Sequence, residues 1–177
     1  MPPSPHHLAP AAVLPASEHQ ALVGRGHALQ ALDVRWLEEP LPVQDDAGMA
    51  ALATRLEIPI QGGENWWGPA GMQRALAAGA CDFCMPDAMK IGGVTGWLRA
   101  AAMAAAHRVP MSSHIFVEVS AHLLQATPTA HYLEHLDIAA PLLRQPLVVQ
   151  GGMALVPEAP GIGLDWDQAA LRHFAVA

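Results

Sequence analysis

Charged side chains are scarce in this 177-residue chain: they make up 14% of it, and Lys90 is its one lysine. The formal charge of −7 and the lack of clustered Lys and Arg argue against binding to nucleic acid. No apolar run approaches the roughly 18–20 residues of a membrane span. The first twenty residues also lack the basic start and apolar centre of a secretory signal. We therefore expect a cytoplasmic protein, with neither nucleic acid nor membrane as partner.

Cysteine is also rare, and the two cysteines, Cys81 and Cys84, form a C-x-x-C string. They fall in a predicted strand, where residues three apart point to opposite faces. A single pair is also too few for a structural zinc site. We therefore expect both thiols to be packed in the interior as ordinary apolar side chains.

Hydrophobic residues make up 52% of the chain, enough for one ordinary domain with a core. Short apolar runs that read as strands alternate with segments of helical spacing. The helices are predicted over 27–32, 45–56, 69–78, 95–107 and 118–125. This alternation is typical of parallel βα units.

The two ends of the chain do not follow this alternation. Residues 1–26 are predicted to be a leader, disordered or unrelated to the rest, because prolines at 2, 3, 5, 10 and 15 oppose a normal helix. Residues 27–137 are predicted to form part of a barrel. Residues 138–177 form a return segment, with a hairpin or extended strand over 147–157 and a short helix over 165–174.

Five acidic or imidazole side chains each close a predicted strand, namely Glu38, Glu64, Asp87, His114 and Glu134. Their spacing of about one strand-plus-helix unit predicts that they converge at one mouth, where αβ-barrel enzymes keep their catalytic residues. Only five of the eight strands of such a barrel are visible. The pattern therefore predicts the later part of a barrel derived from an enzyme.

Two of these residues suit a metal ion. Glu38 and Glu64 would lie on neighbouring strand ends, and paired carboxylates suit Mg²⁺, which takes oxygen ligands. Side-chain alternation means that only one of Glu38 and Glu39 faces the mouth, and the pattern does not decide which.

Asp87 and His114 would also be neighbours. A carboxylate bonded to one imidazole nitrogen fixes the tautomer and raises the basicity of the other nitrogen, so His114 is a candidate general base. The preceding Ser112 and Ser113 would either hold substrate or cap the backbone.

Glu134 and Lys90 complete the set of candidates. Glu134 would lie across the mouth and could act as a general acid if burial raises its pKa. Lys90 would act as a base or an electrostatic stabiliser, or would be a surface charge.

Several strings of the sequence resemble, in order, the mandelate racemase family of the enolase superfamily. They are 36–40 (WLEEP), 63–69 (GENWWGP), 85–97 (MPDAMKIGGVTGW), 111–114 (MSSH) and 121–131 (AHLLQATPTAH). The resemblance runs from about Arg35 to the C-terminus. It implies a (β/α)₇β barrel of which this chain carries about strands four to eight.

The resemblance also implies a function. Glu38 and Glu64 match two of three Mg²⁺ ligands in that family, and His114 with Asp87 matches the dyad that exchanges the α-proton of a 2-hydroxy acid. Glu134 matches the acid that hydrogen-bonds the substrate carboxylate. The implied activity is racemisation of a small carboxylate by a homo-oligomer, with dehydration of a sugar acid as the alternative.

The sequence departs from the family upstream of Glu38. The family carries a lysine base in a K-x-K string and a first metal ligand in a D-x-N string. Here Asp33 is followed by Val34 and Arg35, and no lysine precedes Lys90. We expect the family's capping domain and first strands to be absent from this chain as well. We therefore expect a truncated form that is weak or inactive alone. The truncation would be genuine, or would result from a shifted reading frame or a misassigned start. The alternative is a non-catalytic remnant that binds other chains.

Overall fold

The computed structural model describes residues 15–175. In its first part, helices and strands alternate along the chain. They are α1 (Ala16–Gln30), β1 (Leu37–Glu38), α2 (Asp46–Arg55), β2 (Ile60–Gly62), α3 (Gly68–Ala78), β3 (Phe83–Cys84), α4 (Gly93–His107), β4 (Met111–Ser113), α5 (Val117–Gln125) and β5 (Ala130–Leu133).

The five strands form one sheet in chain order, and every neighbouring pair is parallel. The register places Glu38 opposite Gln61 and Cys84 opposite Met111. Helices α2 to α5 each connect two successive strands, which confirms the predicted parallel βα units. Because parallel strands share one direction, all five carboxyl ends lie at the same edge of the sheet.

Local signals in the sequence place the ends of two helices. The Asp45 carboxylate accepts a hydrogen bond of 2.9 Å from the Gly48 amide and so caps α2. Helix α3 ends at Gly79, whose φ of 66° lies in the left-handed region that glycine adopts without strain. The predicted helices over 45–56 and 69–78 are therefore confirmed within one or two residues.

Helix α1 differs from the prediction, which gave residues 1–26 as a leader and a helix only over 27–32. Residues 1–14 lie outside the described part of the chain, but the helix begins at Ala16. Pro15 immediately precedes it and the helix contains no proline, so the chain is free to turn there. Val23 is buried in the core, and the Gly26 backbone lies so close to Leu56 that a Cβ would clash with its methyl groups.

The core lies between the sheet and the helices that cover it. Ile60, Cys84 and Met111 from the strands are fully buried, as are Met72 and Trp97 from α3 and α4. The indole Nε1 of Trp97 donates a 2.9 Å hydrogen bond to the Thr127 hydroxyl. Alanines along α4, such as Ala100 and Ala104, let this helix approach its neighbours closely.

The chain after β5 has a different character. A 3₁₀ turn (Ala140–Leu142) leads to the antiparallel hairpin of β6 (Val148–Gln150) and β7 (Met153–Leu155). Of the two alternatives predicted over 147–157, a hairpin or an extended strand, the structure has the hairpin. Helix α6 (Gln168–Phe174) starts three residues later than predicted, because the Asp167 carboxylate caps it. Among residues 15–175, no helix is both long and apolar enough to cross a membrane.

Candidate active site

All five predicted site residues lie at or just beyond the carboxyl end of a strand. Glu38 ends β1, Glu64 follows β2 by two residues and Asp87 follows β3 by three. His114 and Glu134 directly follow β4 and β5. The structure therefore places them along one edge of the sheet, as the sequence predicts.

Asp87 and His114 form a hydrogen-bonded pair. The two residues meet in a single parallel bridge, and His114 Nδ1 lies 2.8 Å from Asp87 Oδ2. The other oxygen, Oδ1, accepts hydrogen bonds from the backbone amides of Met89 and Lys90, at 2.7 and 2.9 Å. Since Asp87 is buried, its carboxylate is fixed and holds the imidazole ring in one orientation.

The second ring nitrogen of His114 faces Glu64. Nε2 lies 3.3 Å from Glu64 Oε2, and both side chains are partly exposed. This contact joins the predicted proton-transfer pair to a predicted metal ligand. With Nδ1 committed to Asp87, Nε2 is the nitrogen available for proton exchange with a bound molecule.

Glu38 and Glu39 take different partners, which addresses the choice that the sequence left open. The Glu38 carboxylate accepts hydrogen bonds from Gln61 Nε2, at 3.0 Å, and from Trp36 Nε1, at 3.4 Å. Glu39 accepts from the Gly63 amide at 3.0 Å and lines a small cavity between the sheet and the helices. Glu39 is therefore held by the backbone beside this cavity, whereas Glu38 is exposed at the end of β1 and remains the candidate ligand.

Glu134 holds the turn that follows His114. Its Oε2 accepts a 2.8 Å hydrogen bond from the Ile115 amide. Ile115 and Phe116 have φ values of 36° and 48°, a left-handed backbone that is strained for both residue types. The Ser120 hydroxyl, which donates to the Ile115 carbonyl at 2.8 Å, supports the same turn.

Ser112 and Ser113, for which substrate binding and backbone capping were both open, bond to the backbone of β5. The Ser112 hydroxyl accepts from the Tyr132 amide at 3.2 Å, and the Ser113 hydroxyl accepts from the Glu134 amide at 3.3 Å. Both serines are buried. They therefore position the strand that carries Glu134.

Two amide side chains near the site were not identified from the sequence. Gln61 contacts Glu38, and Asn65 donates to Glu39 Oε2 and Glu64 Oε1, at 2.7 and 3.1 Å. The sequence could have indicated Asn65 by its position, because it directly follows the candidate ligand Glu64 within one of the strings that resemble the family. Polar residues on a predicted strand, such as Gln61, give no such signal.

The C-x-x-C string takes no part in this site. Both cysteines are free and buried, as predicted. Burial raises the pKa of Cys81 to about 12, with a further contribution from the nearby Asp82, and raises the pKa of Cys84 well above its ordinary value. Both thiols therefore stay protonated at neutral pH, and thiolate chemistry is excluded here.

The carboxylates of Glu38 and Glu64 provide the hard oxygen ligands that Mg²⁺ prefers, so the donor type fits this ion. The number of ligands is smaller than a complete site requires. Among residues 15–175, no group of three or more His, Cys, Asp or Glu side chains is placed to hold a metal ion. The described residues therefore offer carboxylates of the right chemistry, without a complete set of metal ligands.

Residues 17–170 match the family described as enolase C-terminal domain-like. The chain belongs to this family of the enolase superfamily. This match confirms the expected fold, part of a (β/α)₇β barrel. The five-stranded parallel sheet seen here corresponds to part of the barrel of that family.

Enolase-superfamily enzymes resemble the chain over most of its length. It is 30% identical over 155 residues to the L-talarate/galactarate dehydratase of Salmonella typhimurium, a match that covers 88% of this chain and 39% of the relative. It is 32% identical to the D-galactarolactone cycloisomerase of Agrobacterium fabrum, covering 80% and 42%. The crystal structure of an enolase from Bradyrhizobium with magnesium and mandelic acid superposes with a TM-score of 0.85 at 49% identity, covering 90% and 44%.

The chain therefore spans about two fifths of the length of these relatives. Members of the superfamily are enzymes with magnesium as cofactor, and several relatives were crystallised with it. The resemblance predicted from the sequence is confirmed at the level of the superfamily. The curated relatives above are a dehydratase and a cycloisomerase, so the finer assignment to mandelate racemase belongs with the proposals below.

Proposed function

We propose that this chain carries one face of an active site that removes the proton next to the carboxylate of a 2-hydroxy acid, as in racemisation. The 2.8 Å contact between His114 Nδ1 and Asp87 Oδ2 is the observation that carries the proposal. The buried Asp87 carboxylate keeps a proton on Nδ1 and stabilises the imidazolium that forms when Nε2 accepts a proton. His114 is the base in this proposal.

The remaining candidates would bind and orient the substrate. Glu134, anchored on the Ile115 amide, would hydrogen-bond the substrate carboxylate and act as the acid. Glu38 and Glu64 would hold Mg²⁺ together with a ligand that the described residues do not supply. When bound, the ion would stabilise the negative charge that develops as the α-proton leaves.

The Bradyrhizobium enolase, whose crystal structure contains magnesium and mandelic acid, supports a 2-hydroxy acid as substrate. At 49% identity, the strand ends of the two chains are expected to carry the same site residues. We propose on this ground that an aryl-substituted 2-hydroxy acid such as mandelate is accepted by the complete protein.

Dehydration of a sugar acid is the second candidate, and a specific observation favours it. His114 would be the base in this reaction too. In dehydration one base removes the α-proton, a carbon–carbon double bond forms, and the neighbouring hydroxyl leaves as water with a proton from an acid. The relatives that act as L-talarate/galactarate and D-galactonate dehydratases agree with this reaction.

The test is proton exchange in deuterated water. The chain is incubated with mandelate and Mg²⁺, and deuterium at the α-carbon is measured by NMR beside the His114→Asn variant. We expect weak exchange by this partial chain, and we expect the variant to lower it by about 10²- to 10⁴-fold. A wild-type rate no greater than that of the variant would contradict the proposal. A parallel incubation with galactarate separates the two candidates, because only dehydration yields a keto-deoxy acid.

A further inference from the structure

The chain contains one asparagine, Asn65, and one lysine, Lys90, and these two side chains are in direct contact. Asn65 directly follows Glu64 in the loop between β2 and α3, and Lys90 lies in the turn between β3 and α4. Lys90 Nζ donates a 3.1 Å hydrogen bond to Asn65 Oδ1. Both side chains are half-buried.

This contact fixes which way the Asn65 amide points. A lysine ammonium has donors only, so it must face the carbonyl oxygen of the amide. The amide nitrogen is then turned away from Lys90 and toward two carboxylates. Asn65 Nδ2 lies 2.7 Å from Glu39 Oε2 and 3.1 Å from Glu64 Oε1, so each of its two hydrogens has an acceptor.

One of the two carboxylates that accept from the Asn65 amide is itself held in place. The Glu39 carboxylate accepts a 3.0 Å hydrogen bond from the Gly63 amide. Glu64 is therefore held on one oxygen by Asn65, while its other oxygen lies beside His114 Nε2 at 3.3 Å.

We propose that Asn65 is a positioning residue that sets the orientation of the Glu64 carboxylate, with Lys90 and Glu39 holding Asn65 in place. This inference deepens the proposed function and rests on it for the role of Glu64 as a metal ligand. It also gives Lys90 a task other than that of a base: its ammonium orients the amide. The contacts around a metal ligand commonly change metal affinity by about 10- to 100-fold when they are removed.

The orientation itself can be tested without metal. Because the chain has one asparagine, labelling with ¹⁵N-asparagine gives a single pair of side-chain amide signals. We expect these signals to shift in the Glu64→Gln, Glu39→Gln and Lys90→Met variants and to stay in place in Gln73→Ala, which removes an exposed amide from α3. The inference would be overturned if the Asn65 signals shift in none of these three variants while their backbone spectra show the native fold.

The consequence for the site is tested with Mn²⁺ as the probe, followed by electron paramagnetic resonance. We expect Asn65→Ala to weaken Mn²⁺ binding about 10- to 100-fold and Asn65→Asp to weaken it further, since a third carboxylate would repel Glu39 and Glu64. Stronger binding by Asn65→Asp would overturn the inference, because the side chain would then act as a ligand. If the wild-type chain binds no Mn²⁺, the magnesium part of the proposed function is overturned instead. The metal-free spectra distinguish this outcome, because they test the orientation of Asn65 separately.

Discussion

The barrel region, residues 16–134, and the return segment, residues 138–175, differ in how they bury apolar side chains. In the barrel region, side chains such as Ile60, Met72 and Trp97 are completely buried. In the return segment, Met153 of the hairpin is 69% exposed, and the buried apolar side chains in its described residues are Leu143 and Leu147. The first region has a core of its own, and the second is a thin layer against it.

This difference explains why the candidate site lies where it does. Proton transfer needs groups held in place to within a fraction of an ångström, and packed interiors hold side chains more rigidly than exposed segments do. All five candidate site residues lie at or just beyond the ends of strands of the barrel region, and the return segment supplies none of them. Four comparisons between matched residues of the two regions test this conclusion.

The largest expected effect is on proton transfer, in Asp87→Asn. The introduced amide would donate to His114 Nδ1, so the ring proton would move to Nε2, which could then no longer accept a proton. We expect α-proton exchange to fall about 10²- to 10⁴-fold. Asp165→Asn, in the exposed carboxylate beside Arg144 of the return segment, is the control and should leave the rate unchanged. Equal rates in both variants would contradict the assignment of the dyad.

Next comes the loss of a large buried ring. Trp97→Ala is expected to lower the free energy of unfolding by about 3–5 kcal/mol, since it opens a cavity in the core. Trp166→Ala in the return segment should lower it by about 1 kcal/mol, because Trp166 is 40% exposed. Urea unfolding followed by circular dichroism measures both. Similar losses for the two tryptophans would show that the return segment shares the core.

The two aspartate caps give a smaller contrast. Asp45 is buried, caps α2 and lies 2.8 Å from His19 of α1, so Asp45→Ala should lower the free energy of unfolding by about 1–2 kcal/mol. Asp167, which caps α6, lies in the return segment. There we expect Asp167→Ala to speed amide hydrogen exchange within α6 while leaving the urea midpoint of the barrel region in place. A shift of that midpoint by Asp167→Ala would contradict the separation of the two regions.

The smallest effect concerns pH. The backbone amides of Ala170 and Ala169 lower the pKa of Asp167 from its ordinary value of 3.8. The lower pKa in the folded state means that this cap stabilises α6 above pH 3.8, and that the stabilisation is lost as the pH falls through the lowered pKa. We expect amide exchange in α6 to lose protection in acid before exchange in α2 does, measured by NMR. Simultaneous loss in both helices would argue against a local event.

Most helices could be predicted from the sequence because their signals are local. Asp45 and Gly79 mark helix ends by their own conformational preferences, and both act as expected. Helix α1 was missed over residues 16–26, because its stability comes from contacts such as that of Gly26 with Leu56, which lies thirty residues away. Packing of this kind leaves no local signal.

For the candidate site, the spacing of polar residues after apolar runs determined by itself that Glu38, Glu64, Asp87, His114 and Glu134 share one edge of a parallel sheet. That follows from geometry, since strands of one direction end together. Only the tertiary structure decided their partners: Glu38 turns to Gln61 while Glu39 turns to Asn65, and Lys90 orients that asparagine. Hydrogen bonds between residues some 23 to 26 positions apart depend on how neighbouring loops pack, and no pattern within a single strand or turn contains that information.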